Sequence, residues 1–207
     1  MGLVATTVAL VLGLLIYSAK SFYDTQNNEV AQLAANVVLL DRVLAHYGPE
    51  SAEVRAELRR SIQHHLEIMW PENGSKIEGT QFLAPTGEPV LDRIQELSPK
   101  DDAQRALKGQ AVNLALQMGQ TRLMMFTQRS VPVPKLLLIM LIFWLIALFV
   151  SFGLFAPTNS TVVISMFVAA AAVCGAVFLI NEMYHPYGRL IEVSRAPLIA
   201  ALAQLGR

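Results

Sequence analysis

Hydrocarbon penalises polar side chains, so polar residues set inside apolar runs are where chemistry is first sought in this chain. The N-terminal segment holds such a set. Thr7, Ser18, Ser21, Thr25 and Asn28 share one stripe of 3–4 spacing, with Val11 and Leu14 filling the gap. Residues three and four apart lie on one helix face, so hydroxyls and an amide line up along a single side. That face could line an aqueous path where several subunits meet. It could equally be a helix–helix contact, since Ser and Thr serve both uses. Lys20 and Asp24 are i,i+4 partners at the inner end of the same run. As rings of charge at a mouth they would set ion preference; alternatively, Lys20 carries its ammonium out to the headgroups. Glu182 and His185 stand at the edge of the last apolar run. Together they could sense pH, and a solvated membrane-edge carboxylate is the plainer alternative.

The pattern carries no other recognisable chemistry. There is no glycine-rich phosphate loop and no paired-cysteine motif. The single cysteine, Cys174, excludes an intrachain disulfide and sits mid-span. His64 and Glu67 are i,i+3, but a metal needs more ligands than two, and His65 points roughly 100° away round the helix. Glu53, Arg55, Glu57, Arg59 and Arg60 crowd the same helix as a solvated charged face, with Glu57 and Arg60 the opposite charges at i,i+3. No nucleophile, base and oxyanion site assembles, so neither an enzyme, a metal nor a cofactor is expected. Lys plus Arg number 16, as do Asp plus Glu, and a zero net charge argues against a nucleic-acid binder.

The elements that must position these residues are spans. A content of 54% hydrophobic and 15% charged residues argues against an ordinary soluble domain. Leu136 to Leu154 is a run of 19 residues without charge, and Thr161 to Ile180 is one of 20. Each makes a helix of about 30 Å, the thickness of a hydrocarbon core. Gly2 to Tyr17 is shorter, but no basic stretch precedes it and no clear cleavage site follows, so it reads as a span and not a signal peptide. Lys20, Arg129, Lys135 and Arg189 lie near span ends and all fall on one side. The positive-inside tendency then puts the N-terminus outside and the large region and the tail inside.

The expected fold is an all-α membrane protein. Three transmembrane helices (1–18, 134–155 and 160–181) accompany a cytoplasmic helical bundle (19–132) formed by long helices continuing from the spans, and a cytoplasmic amphipathic tail (182–207). Ile16, Tyr23, Val30, Val37 and Leu44 recur every seven residues, with Leu33, Leu40 and Tyr47 between them. No Pro or Gly interrupts Leu14 to Tyr47, so one helix is expected to run from the membrane to Gly48-Pro49. Ser51 is the expected cap of a second helix carrying Val54, Leu58, Ile62, Leu66 and Met69. Residues 70 to 87 read as a loop with short extended pieces, and a short helix covers about Val90 to Leu97. Ser98-Pro99-Lys100-Asp101 reads as a helix start with Ser98 as cap. Leu107, Ala111, Leu114, Met118, Thr121 and Met125 then form the stripe. Ser194 is expected to cap a last helix with Leu198, Ile199, Leu202 and Leu205, on the membrane or under the bundle.

Several stretches carry a family resemblance. They are Leu12-Gly13-Leu14-Leu15-Ile16-Tyr17-Ser18-Ala19-Lys20-Ser21-Phe22-Tyr23-Asp24-Thr25-Gln26, then Leu39-Leu40-Asp41-Arg42 and Ile68-Met69-Trp70-Pro71-Glu72. They continue with Phe143-Trp144, Ser151 through Asn159, and the tail from Pro186 to Ile191 with Ser194, Ala196, Pro197 and Leu198. Together these resemble the bacterial bestrophin-like domain family over nearly the whole chain. The resemblance implies kinship with bestrophin channels, which are pentamers with four spans, and makes the Thr7–Asn28 helix the counterpart of their pore-lining helix. The leading expectation is a homo-oligomeric inner-membrane ion channel with lipid and inorganic ions as partners. The rival is a non-conducting scaffold or sensor whose cytoplasmic bundle docks a partner protein.

Overall fold

A computed structural model describes residues 2–70, 88–129, 135–155, 157, 159–184 and 192–206. Among them there are helices and no strands. They are α1 (Gly2–Tyr47), a 3-10 turn (Pro49–Ser51), α2 (Ala52–Met69), α3 (Glu88–Glu96), α4 (Asp102–Arg129), α5 (Lys135–Phe155), α6 (Ser160–Met183) and α7 (Ala196–Gln204). α1, α5 and α6 are long and apolar enough to cross a membrane. α1 is 46 residues long. It ends at Gly48, whose φ of 123° favours glycine, and where a Cβ would meet the Glu50 carboxylate at 2.8 Å. The expected loop at 71–87 lies outside the described residues.

The chain divides into two compact units. The first comprises Met1–Thr25 with Val131–Ile191, and the second Gln26–Ser130 with Glu192–Arg207. In the first unit Val8, Leu15 and Ala19 of α1 pack with Leu141 and Leu148 of α5 and with Ile180 and Tyr184 at the end of α6. Tyr184 stacks on Phe22 at a centroid distance of 5.4 Å. An apolar groove of about 720 Å³ between α5 and α6 is lined by Ile142, Phe149, Val173, Cys174 and Phe178, with Asn181 at one end.

In the second unit α2 packs on α3 and α7, and α3 on α4, while side-chain bonds tie the rest of α1 to α2, to the start of α4 and to Gly206. Val30, Leu33, Val37, Leu40, Leu44 and Tyr47 are buried, as the heptad spacing requires. Ile16 and Tyr23 leave that line: Ile16 is exposed and Tyr23 half-buried. A strict seven-residue repeat drifts by about 20° per heptad on a straight helix, so four heptads rotate the line off the packed face. The buried side of α1 passes instead through Gln26, Glu29 and Asn36, polar residues that hide the continuity.

Local chemistry sets the boundaries. Ser51 occupies the cap position of α2, yet its hydroxyl donates to the Leu44 and Gly48 carbonyls and closes the end of α1. Asp101, not Ser98, caps α4: Asp101 Oδ1 accepts the Gln104 N–H at 2.7 Å, and Gln104 Oε1 accepts the Lys100 N–H at 2.8 Å. A carboxylate accepts the orphan N–H at the positive helix end more strongly than a hydroxyl does. Gln104 Nε2 also donates to the Tyr47 carbonyl at 3.0 Å, fixing the start of α4 against the end of α1. Lys108 Nζ donates to the carbonyls of Gln95 and Leu97, both at 2.7 Å, and so holds the end of α3. α7 lies under the bundle by Leu198, Ala201 and Leu205, and Trp70 Nε1 donates to the Val193 carbonyl at 3.1 Å.

Candidate functional site

The anticipated stripe lies beside the packed side of α1. Thr7 and Val11 are half-buried, while Leu14, Ser18, Ser21, Thr25 and Asn28 are exposed. At about 100° per residue, the stripe sits roughly 115° round the helix from Val8, Leu15 and Ala19. The Thr7 hydroxyl donates to the Leu3 carbonyl and that of Thr25 to the Ser21 carbonyl, both at 2.8 Å. Threonine bonding back to its own helix leaves oxygen lone pairs turned outward, able to accept from water or to face a cation. Ser18 differs: its Oγ and the Tyr184 hydroxyl are 3.1 Å apart, which ties the stripe to the end of α6. An interface tyrosine closing a span was the signal available for that partner.

The 3–4 spacing does not stop at Asn28. Gln32, Ala35, Leu39, Arg42 and His46 carry the same exposed line toward the end of α1. Ala35 and Leu39 interrupt its polarity, and for that reason the line breaks off early when polar residues alone are followed.

Lys20 and Asp24 form an ion pair of 2.6 Å, both well exposed. They lie roughly 100° from the stripe, below Gly13 on a third face of α1. The structure therefore brings the two charges to each other and not onto the line of hydroxyls. Glu182 is 2% exposed, so the solvated carboxylate does not hold. His185 lies outside the described residues.

Charge in the second unit follows a different pattern. Asp41, 5% exposed, accepts Arg55 Nε at 2.7 Å and Nη2 at 2.9 Å, and the Gly206 N–H at 3.3 Å. Those bonds to the carboxylate hold Arg55 above the usual arginine range. Glu57 pairs with Arg60 at 2.8 Å, as its spacing allows. His64 and Glu67 are exposed, whereas His65 is buried, and its pKa is pushed down to about 3, first by loss of water and then by the nearby Arg122 charge. Among the described residues no three His, Cys, Asp or Glu side chains gather as a metal site.

The comparisons with known proteins agree with this architecture. One solved structure, a tryptophan-to-alanine mutant of a bacterial bestrophin homologue from Klebsiella pneumoniae, matches with a TM-score of 0.73 at 15% identity. The match covers 99% of this chain and 82% of that one, and at such identity it shows the fold alone. No curated protein matches. The family model of the bestrophin-like domain matches residues 1–198, and the chain belongs to that family.

Proposed function

We propose that this membrane protein is a homo-oligomeric ion channel or pore of the bacterial inner membrane, lined by the exposed stripe of α1. The observation that carries the reading is the exposed line of hydroxyl and amide groups from Ser18 to Asn28, continued by the half-buried Thr7, beside a packed apolar face. Three spans cannot enclose a path, so several copies must meet around an axis with this line facing it. The family and the fold likeness support conduction. Cations near the span ends favour placing the bundle and the tail in the cytoplasm. Nucleic acid and catalysis have no part in it.

Cys174 is the only cysteine, so a Cys174→Ala background makes accessibility clean to read. In planar bilayers, Ser21→Cys and Thr25→Cys should lose current on treatment with a charged thiol reagent, while Ile16→Cys should keep it. No conductance above protein-free controls, across pH and ion species, sinks the reading.

One observation favours the rival, a scaffold that docks a partner protein. α4 bears a second apolar line, Val112, Leu116, Gly119, Leu123 and Phe126, on which Leu116 and Leu123 are 47% and 57% exposed. Contiguous exposed apolar side chains mark interaction surfaces. In the channel reading this line packs copies together. A stoichiometric foreign protein crosslinked there, on a particle with no central path, decides for the scaffold.

A further inference from the structure

The hydroxyls on the line of α1 do not all present the same atom. Thr7 and Thr25 donate to the Leu3 and Ser21 carbonyls of their own helix, both at 2.8 Å, so their protons are spent and their lone pairs are left over. Ser18 stands between them on the same line and is exposed. Its Oγ is turned to the Tyr184 hydroxyl at 3.1 Å. That partner is held in place. Tyr184 is 9% exposed, belongs to the apolar cluster of Leu15, Ala19 and Ile180, and stacks on Phe22 at 5.4 Å with 27° between the ring planes.

Either hydroxyl can donate to the other, and acid strength and burial decide between them. A phenol is a stronger acid than an aliphatic alcohol, and so the better donor. A phenolic proton aimed away from Ser18 would point into the packed side, where an unmet donor is costly. Ser18 is exposed, so its own proton can turn outward instead. The arrangement in which Tyr184 donates and Ser18 accepts serves both groups.

We infer that Tyr184 sets the polarity of this line: by donating to Ser18 Oγ it turns the Ser18 proton outward, and Ser18 becomes a hydrogen-bond donor to a permeating inorganic anion such as chloride. Thr7 and Thr25 offer lone pairs, which suit water and cations. Ser18 therefore marks the level of α1 at which an anion gains a contact that a cation does not. Tyr184 stands behind Ser18 and is a positioning residue. The inference rests on the channel reading, and the test separates the two.

The full-length protein in planar bilayers under a sodium chloride gradient gives the chloride-to-sodium permeability ratio. Tyr184→Phe keeps the ring against Phe22 and removes the phenolic proton. Ser18 then bonds back to the Leu14 carbonyl, as helical serines do, and the ratio should fall about threefold. Ser18→Ala should lower it by the same factor. The double variant should fall no further than either single one, because all three lose one donor. Ring fluorination of Tyr184 strengthens the phenol as a donor and, through it, the Ser18 hydroxyl, so the ratio should rise. This substitution carries the test if Tyr184→Phe does not fold. Absence of current in the wild type fells the channel reading and this inference with it. A wild-type current with an unchanged ratio in Tyr184→Phe or in the fluorinated protein overturns the role of Tyr184 alone. Single effects that multiply in the double variant do the same.

Discussion

In the bundle unit Leu33, Leu40, Leu44, Leu58 and Ile62 are sealed from solvent, whereas in the membrane unit Leu136, Phe143, Ile146, Phe155 and Phe167 stand more than half exposed. The two sets have similar side chains and opposite fates. Water drives the first set together at about 25 cal/mol per Å² of apolar surface removed. Lipid tails are as apolar as leucine, so no such force acts on the second, and helices there associate through packing and polar contacts. The same contrast governs polar groups. The bundle can bury Asp41 and His65, because a partner or a lost proton offsets the desolvation. Around the spans the hydroxyls of Thr7 and Thr25 bond back to their own helix.

The largest test of that contrast truncates one leucine-sized group on each side. Leu58→Ala in the fully buried core should cost about 3 kcal/mol of unfolding free energy. Ile146→Ala, 58% exposed on α5, should cost under about 0.5 kcal/mol in a detergent micelle. Thermal unfolding followed by circular dichroism reads both, and equal losses would break the distinction between the units.

Next comes the tie between Asp41 and Arg55. Arg55→Ala leaves a buried carboxylate with only the Gly206 N–H. A fully buried pair loses about 3–5 kcal/mol when one partner goes. Arg55 keeps 24% of its side-chain surface in water, so about 2–3 kcal/mol is expected. Arg55→Lys should recover only part of it, because a lysine cannot make the paired Nε and Nη2 bonds. Recovery to the wild-type value would reduce the bidentate geometry to simple charge.

His65 supplies a pH test. Its folded pKa of about 3 lies below the unfolded value of 6.5. Between those values the unfolded chain takes up a proton that the folded chain refuses. Stability is therefore full above pH 6.5 and falls as the medium is acidified. By pH 5 the loss from this group should reach about 2 kcal/mol. Denaturant unfolding at pH 7 and 5 measures it, and His65→Leu should flatten that part of the profile. An unchanged slope in the variant assigns the acid sensitivity elsewhere.

Spans and stripes were legible because apolar runs and 3–4 spacing are dictated by the backbone period. Leu58 and Ile62 had to face inward for any packing of α2. His65 was not legible in the same way. The sequence places it next to His64 on a helix with six charged residues, which reads as a solvated face, although its spacing of three from Ile62 and four from Met69 sets it on the apolar stripe and His64 off it. Gln26, Glu29 and Asn36 were misleading for the converse reason, since polar residues on a buried line look like its end. The cap of α4 turned on whether the helix begins after Ser98 or after Asp101, whose carboxylate takes the Gln104 N–H, a matter of backbone geometry that spacing leaves open. The wetted side of α1 is the least legible feature, because one protomer exposes the Thr7–Asn28 line and the Lys20–Asp24 face alike.

The smallest expected effect separates those two faces. Lys20 and Asp24 are 62% and 50% exposed, and exposed ion pairs contribute about 0–1 kcal/mol, so removing either should hardly alter stability. Their effect on ions depends on where the axis lies. If the mouth includes them, Lys20→Gln leaves a net negative ring and Asp24→Asn a net positive one, and reversal potentials under a salt gradient should move in opposite directions. The shifts should be modest, because each charge screens the other at 2.6 Å in the wild type and both lie beside the line of hydroxyls, not on it. They should also shrink as salt rises from about 0.01 to 1 M, where the screening length falls from about 30 to about 3 Å. Identical reversal potentials in both variants at low salt would remove this face from the path. The hydroxyl line would then be left to carry conduction without a charged ring on this face.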